Sequence, residues 1–153
     1  MSDRFELVIS SMRILTLLDS FKTRKNFLNF DRIILFDFYL RFPRTMFDEK
    51  NDVDSYDFEE LYSYYHSHPN RENYSKVLNY LISKKLILKE IVAGSFKYSI
   101  TETGSQIVSE ITNPFALSLK NYAVQIRKKV AYMSETKLRE DINCRSLENM
   151  RLI

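Results

Sequence analysis

Apolar residues recur at the three- and four-residue spacing of an amphipathic helix along most of this sequence, and the pattern changes once to strand-like alternation. In SFKYSI, Phe96, Tyr98 and Ile100 alternate with polar residues, and Gly94 separates this segment from LILKEIVA. Only 2 glycines occur among 153 residues, which disfavours an all-β fold because tight turns need residues that tolerate positive φ. The sequence therefore predicts a mainly α-helical fold with a small β-hairpin.

The order of the predicted elements is typical of a winged helix-turn-helix domain with additional C-terminal helices. A short helix from Phe58 to Tyr65, the turn HSHPN and a second helix at residues 71–84 precede the hairpin. Thr101 after the hairpin is placed to cap a further helix. We expect a single winged-helix domain over residues 1–153, with a core at about 5–112, a C-terminal helical extension at about 114–142 and a tail at 143–153.

Four segments share their order and spacing with a known family: NFDRIILFDFYLRFP, NRENYSKVLNYLISKKLILKE, FKYSITETG and ALSLKNYAVQI. Over most of residues 10–133 the chain thereby resembles the middle component of bacterial ABC-three-component systems, which overlaps the accessory subunit of Lamassu-type antiphage defence. The resemblance implies a non-enzymatic winged-helix adaptor that links an SMC/Rad50-like ATPase subunit to a nuclease-type effector subunit. DNA would be bound through the complex, in defence against phages and plasmids.

The helix predicted from Pro114 to about residue 133 carries an apolar stripe that extends beyond what a compact winged helix needs to cover itself. The end of this stripe is interleaved with basic residues, a pattern that suits a partner helix or a second copy of the chain. We therefore predict a partner-binding surface formed by Tyr122, Ile126, Arg127, Val130 and Met133.

A second candidate surface combines the helix at residues 71–84 with the predicted wing. Its basic residues could contact phosphates or base edges, although Glu72 on the same helix repels phosphate. This surface supports an alternative function, a homodimeric winged-helix transcriptional regulator that binds DNA directly. The possible DNA contacts are Arg71, Lys76, Lys84, Lys85, Lys89 and Lys97.

The residues that most resemble metal ligands lack the necessary companions. His66 and His68 need further ligands and have only loop carboxylates nearby, so a helix-ending turn is the favoured interpretation. The acidic stretch from Asp48 to Glu60 lacks the spacing and glycine of a calcium loop. We expect no metal site there, but a solvated loop or an acidic patch for a basic partner.

Catalytic residues are not indicated either. Asp31 and Asp37 are six residues apart on one helix, which leaves their side chains on largely different faces. Asp37 lies in an apolar helix, so we expect a buried partner for its charge. Cys144, the only cysteine, has no histidine at helical spacing. We expect no enzymatic activity, no cofactor and no small-molecule substrate.

Charge and hydropathy further limit the location and partners. The net charge of +3 is mild for a protein that binds nucleic acid through phosphate contacts alone. The basic runs Lys22–Lys25 and Arg127–Lys129 and the acidic stretch at 48–60 predict two faces of opposite charge. No stretch has the ~18 residues of a membrane span, and the first residues do not resemble a signal peptide. We expect a cytoplasmic protein without a membrane partner.

Overall fold

The computed structural model describes residues 3–24, 26–47, 60 and 62–150, and these residues form seven α-helices and one two-stranded hairpin. The helices are α1 (Asp3–Ser20), α2 (Phe30–Arg41), α3 (Pro43–Met46), α4 (Arg71–Ser83), α5 (Glu102–Glu110), α6 (Pro114–Lys129) and α7 (Glu135–Met150). The strands are β1 (Ile87–Val92) and β2 (Ser95–Ile100), and a 3-10 turn at Ser63–His66 precedes α4. The prediction of a mainly helical fold with a small hairpin is confirmed.

Helix α2 lies at the centre of the fold. Every residue from Ile33 to Leu40 is buried, and Phe36 and Tyr39 are fully inaccessible to solvent. Helices α1, α6 and α7 pack around α2, while α1 also contacts α5 and the hairpin. Because α2 is apolar around most of its circumference, it can bury almost its whole surface against these neighbours.

Side-chain caps fix where several helices begin. Asn29 accepts a hydrogen bond from the backbone N–H three residues later, and so do Asn70, Thr101 and Asn113. Each bond satisfies an N–H group that has no partner within the first turn of its helix. The predicted capping role of Thr101 is confirmed by a 3.0 Å bond from the Gly104 N–H to its Oγ1.

The hairpin follows a sharp end of α4. Lys85 adopts a φ of 61°, and the next N–H, that of Leu86, returns to the carbonyl of Leu81 at 3.0 Å. This is the left-handed helix ending that glycine usually occupies. In the turn between the two strands, Ala93 and Gly94 have φ values of 52° and 82°, which match the tight turn that joins two twisted strands.

Thr101 and Gly104 attach α5 to the base of the hairpin. The Thr101 N–H and hydroxyl both donate to the Leu86 carbonyl at 3.0 Å. Gly104 lies so close to this carbonyl that a Cβ atom would approach it, and the Ile100 side chain, to less than 3.0 Å. The absence of a side chain at position 104 therefore lets α5 pack against the strands.

Two predicted elements differ from the structure. Helix α7 continues to Met150, so the prediction of a helix ending at 142 and a tail from 143 is wrong up to that residue. Ser146 and Asn149 are buried with the apolar residues of α7.

Phe58, most of the acidic stretch and Lys25 lie outside the described residues. The structure describes only part of the short helix predicted from Phe58 to Tyr65. From Ser63 onward this part is a 3-10 turn and not an α-helix.

Candidate interaction surfaces

The apolar stripe predicted on α6 to bind a partner lies largely in the protein's own core. Ile126 is fully buried and Val130 is 9% exposed, and Met133 is partly buried against the same core. Helices α1 and α2 cover this face of α6. The prediction assumed that these three residues remained uncovered, and the structure corrects that assumption.

The two other residues of the predicted stripe also contact the chain itself. The ring of Tyr122 stacks on that of Phe47 with 5.8 Å between centroids. The Arg127 guanidinium donates to the carbonyl of Ser20 at 3.2 Å, which satisfies a group at the end of α1. The large apolar residues that α6 exposes are instead Phe115 and Leu117 in its first turn.

The basic residues of α4 differ in their availability to a ligand. Arg71 donates to Asp31 at 2.6 Å and lies over the ring of Phe30, so its guanidinium is already engaged within the protein. Lys76 and Lys85 are exposed. Lys84 is exposed too, with its ammonium group 5.7 Å from the centre of the Tyr80 ring. Three of the possible DNA contacts on α4 and its end therefore point to solvent.

The two lysines of the hairpin lie on opposite faces. Lys89 pairs with Tyr98 in the strand register, whereas Lys97 pairs with Glu90. Directly paired residues share a face and alternate along each strand. The Lys89 ammonium lies 4.2 Å from the centre of the Phe96 ring. Lys97, partly buried, has an acidic neighbour across the strands that reduces its attraction for phosphate.

One face of the hairpin is buried at its base and exposed at its end. Ile87 and Ile100 form a buried pair beside α4, but the pair on the same face at the far end, Ile91 and Phe96, is 70% and 49% exposed. Lys89 lies between the two pairs. We call Lys89, Ile91 and Phe96 the hairpin tip; the three form a small apolar surface with one cation at its edge.

Asp37 forms a buried cluster with residues of two other helices. Arg13 donates Nε to Oδ1 at 2.9 Å and Nη2 to Oδ2 at 3.2 Å, and the Tyr74 hydroxyl donates to Oδ2 at 2.6 Å. The prediction of a partner for Asp37 is confirmed. Burial and the neighbouring carboxylate raise the pKa of the Tyr74 hydroxyl. Asp31 lies elsewhere, paired with Arg71, so the two carboxylates do not form one site.

A second buried polar cluster joins α3, the 3-10 turn and α7. Glu60 accepts hydrogen bonds from the Thr45 hydroxyl at 2.6 Å and the Thr45 N–H at 3.0 Å. The Asn149 amide donates to Thr45 Oγ1, the Glu60 carbonyl and Ser63 Oγ. Burial raises the pKa of Glu60 despite these donors. The cluster anchors the last turn of α7.

A cavity of about 480 Å³ opens between the N-terminal parts of α1 and α4. Its walls include Arg13 and His66, but Arg13 is paired with Asp37 and the His66 ring stacks on Phe42 at 5.6 Å. His68 also lines this cavity and is exposed. Among the residues that the structure describes, no three histidine, cysteine or carboxylate side chains are grouped to hold a metal ion.

The described helices include none that is both long and apolar enough to cross a membrane. The fold and its surfaces define a mainly helical protein with an exposed apolar hairpin tip. A family model described as the ABC-three component (ABC-3C) system Middle Component 2 matches residues 6–151, and the chain belongs to this family. Membership confirms the family resemblance and makes the chain a subunit of a multi-component ABC-ATPase system. No curated protein and no solved structure matches it.

Proposed function

We propose that this protein is a non-enzymatic adaptor in a Lamassu-type antiphage and anti-plasmid defence complex of the cytoplasm. It links an SMC/Rad50-like ATPase subunit to a nuclease-type effector, and DNA is bound by the assembled complex. Membership in the middle-component family supports assembly with an ABC ATPase. The observation that carries the proposal beyond the family is the exposed apolar hairpin tip.

The hairpin tip has the character of a protein-binding surface. Ile91 is 70% exposed although it continues a face that is buried at the base of the hairpin. Covering a large aliphatic or aromatic side chain is worth about 1.5–3 kcal/mol, so a partner that covers Ile91 and Phe96 gains substantial binding energy. A phosphate backbone would gain little from these two side chains because it offers them no apolar surface.

The arrangement of α4, the hairpin and α5 supports the further proposal that the fold is a winged helix. The hairpin follows α4 directly and Thr101 hydrogen-bonds back to Leu86, so both strands project from one anchored base. In this proposal α4 is the second helix of the helix-turn-helix and the hairpin is the wing. The adaptor would then bind its partner with the wing.

The alternative function, a homodimeric transcriptional regulator, is favoured by one observation. Lys76, Lys84 and Lys85 are exposed on α4 and its C-terminal end, where a recognition helix carries its phosphate contacts. The engagement of Arg71 with Asp31 and the presence of Glu72 in the first turn weaken this alternative. Both functions can be tested with the same purified protein.

The test of the adaptor is co-purification with the ABC ATPase of the same three-component system. The double substitution Ile91→Ser with Phe96→Ser should reduce recovery of the ATPase about tenfold or more, since buried aromatic and aliphatic anchors dominate such interfaces. Leu117→Ser is the matched control because Leu117 is 52% exposed, close to the 49% of Phe96. Unchanged recovery with the hairpin variant would exclude the hairpin tip as the binding surface.

If the protein is a transcriptional regulator instead, a DNA-binding measurement should give a positive result. The isolated protein should shift a short DNA duplex at sub-micromolar concentration, with affinity that falls steeply as salt rises. Lys76→Glu with Lys84→Glu should abolish this binding, and the hairpin variant should retain it. Such a result, together with recovery of no ATPase by the unmodified protein, would overturn the adaptor proposal.

A further inference from the structure

Two basic segments that are about 100 residues apart in the sequence meet at the C-terminal ends of α1 and α6. Arg127 donates to the carbonyl of Ser20, and Arg32 donates to the carbonyl of Ala131, both at 3.2 Å. The first bond joins the end of α1 to the last turn of α6, and the second joins α2 to the turn after α6. Five residues of the two segments form what we call the Tyr132 patch: Lys22, Arg24, Arg127, Lys128 and Tyr132.

An exposed aromatic ring stands on a guanidinium at the centre of the patch. Arg24 Cζ lies 4.9 Å from the centre of the Tyr132 ring and 6.0 Å from that of Phe27. On the other side of this stack, Arg32 lies 5.2 Å from the Phe27 ring. Tyr132 is 74% exposed, so the stack ends in an aromatic surface that is open to solvent.

The positive charge of the patch is only partly compensated. Of the carboxylates that the structure describes, Asp19 pairs with a cation of the patch, Lys22, at 4.0 Å. Arg127 is bonded to a backbone carbonyl, and Arg24 Nη1 is buried and has no hydrogen-bond partner among the described residues. The negative ends of α1 and α6 account for the placement of Arg127. They also account for Lys128, which lies in the last turn of α6, but not for the exposed ring of Tyr132.

We propose that the Tyr132 patch binds single-stranded nucleic acid. A base would stack on the open face of Tyr132, and Lys22, Arg24 and Lys128 would attract the adjoining phosphates. Sequence-independent binding of single strands combines these two features, a cationic surface along the backbone and an aromatic platform for a base. An acidic protein segment would use the cations but would gain less from the ring. The proposal does not depend on the adaptor function, because none of its residues belongs to the hairpin tip.

The test is fluorescence anisotropy of a labelled oligothymidylate of about 15 nucleotides, a length within the usual range of such sites. The full chain should bind it with an affinity that falls as salt rises. Tyr132→Ala should weaken binding about tenfold, whereas Tyr132→Phe, which keeps the ring, should bind like the unmodified protein. Lys22→Glu with Lys128→Glu should weaken binding further and flatten the salt dependence.

Arg4→Glu with Lys137→Glu is the matched control, since it makes the same charge change at exposed positions outside the patch and outside the surfaces described above. This variant should keep the affinity of the unmodified protein. The proposal is overturned if the unmodified protein does not bind the oligonucleotide, or if the control loses as much affinity as the Lys22 and Lys128 variant. It is also overturned if polyglutamate displaces the oligonucleotide as well as unlabelled oligothymidylate does, because the patch would then recognise negative charge alone. Unchanged melting temperatures would show that the variants are folded.

Discussion

The guanidinium of Arg13 in α1 forms a two-bonded ion pair with the fully buried carboxylate of Asp37 in α2, at 2.9 and 3.2 Å. The Arg13 side chain is itself only 13% exposed. Two charges are thus removed from water together, and each compensates the other. The pair therefore joins the first two helices of the fold.

Asp37→Asn should lower the free energy of unfolding by about 3–5 kcal/mol, because it leaves the Arg13 charge buried without a counter-charge. Urea denaturation measures this change. Tyr74→Phe, which removes one hydrogen bond to the charged carboxylate, should cost about 1.5–3 kcal/mol. Joint replacement by Arg13→Met and Asp37→Leu should restore much of the lost stability. If Asp37→Asn and the double variant are equally unstable, the unpaired charge of Arg13 is not the cause of the lost stability.

Gly104→Ala should destabilise the protein by about 2 kcal/mol or more, since the new Cβ would overlap the Leu86 carbonyl and the Ile100 side chain. Thermal unfolding followed by circular dichroism provides the measurement. Thr103→Ala is the control on the neighbouring, exposed position and should change stability by less than about 0.5 kcal/mol. Equal effects at 103 and 104 would contradict the close packing of α5 on the hairpin.

Lys85→Gly should raise the free energy of unfolding by about 1 kcal/mol, because Lys85 has a φ of 61° that glycine adopts without strain. Lys84→Gly, at the adjacent residue, should lower the free energy of unfolding. Lys84 has an ordinary φ of −86°, so glycine there only adds flexibility to the unfolded chain and should reduce stability. Both values come from urea denaturation, and a loss of stability with Lys85→Gly would refute the left-handed helix ending.

The buried carboxyl of Glu60 should make stability depend on pH. Because burial raises its pKa in the folded protein, the native state holds a proton that the unfolded chain releases at lower pH. The contribution of Glu60 to the free energy of unfolding therefore falls as pH rises from its pKa in the unfolded chain to its pKa in the folded protein. Above the folded pKa this contribution is lost completely. Glu60→Gln should gain stability relative to the unmodified protein as pH rises above the ordinary pKa of a glutamate. Glu110→Gln is the control, because it removes the same carboxyl group at an exposed position.

The sequence predicted the features that follow from local pattern. The near-continuous apolar character of α2 indicated a buried helix and hence a partner for Asp37. The identity of that partner could not be predicted, since Arg13 and Tyr74 lie 24 and 37 residues away. Helical spacing also showed that α6 has an apolar face. Spacing does not reveal what covers such a face, and α1 and α2 cover it at Ile126.

The end of α7 was missed for a related reason. Leu138 and Ile142 mark its buried face, but the next buried positions at that spacing are Ser146 and Asn149. Polar residues interrupt a hydrophobic pattern even when they continue the same face. Their burial is possible because Thr45, Glu60 and Ser63 supply hydrogen-bond partners for Asn149 from distant parts of the chain. The Tyr132 patch was likewise visible only as two separate basic runs.

The bond from Asn149 to the Glu60 carbonyl spans 89 residues, and this separation has a consequence for synthesis of the protein. When Glu60 and Thr45 leave the ribosome, the amide that will bond to both has not yet been translated. Domains generally fold as units during synthesis. In this chain the polar groups of Thr45, Glu60 and Ser63 therefore lack their Asn149 partner until α7 has emerged.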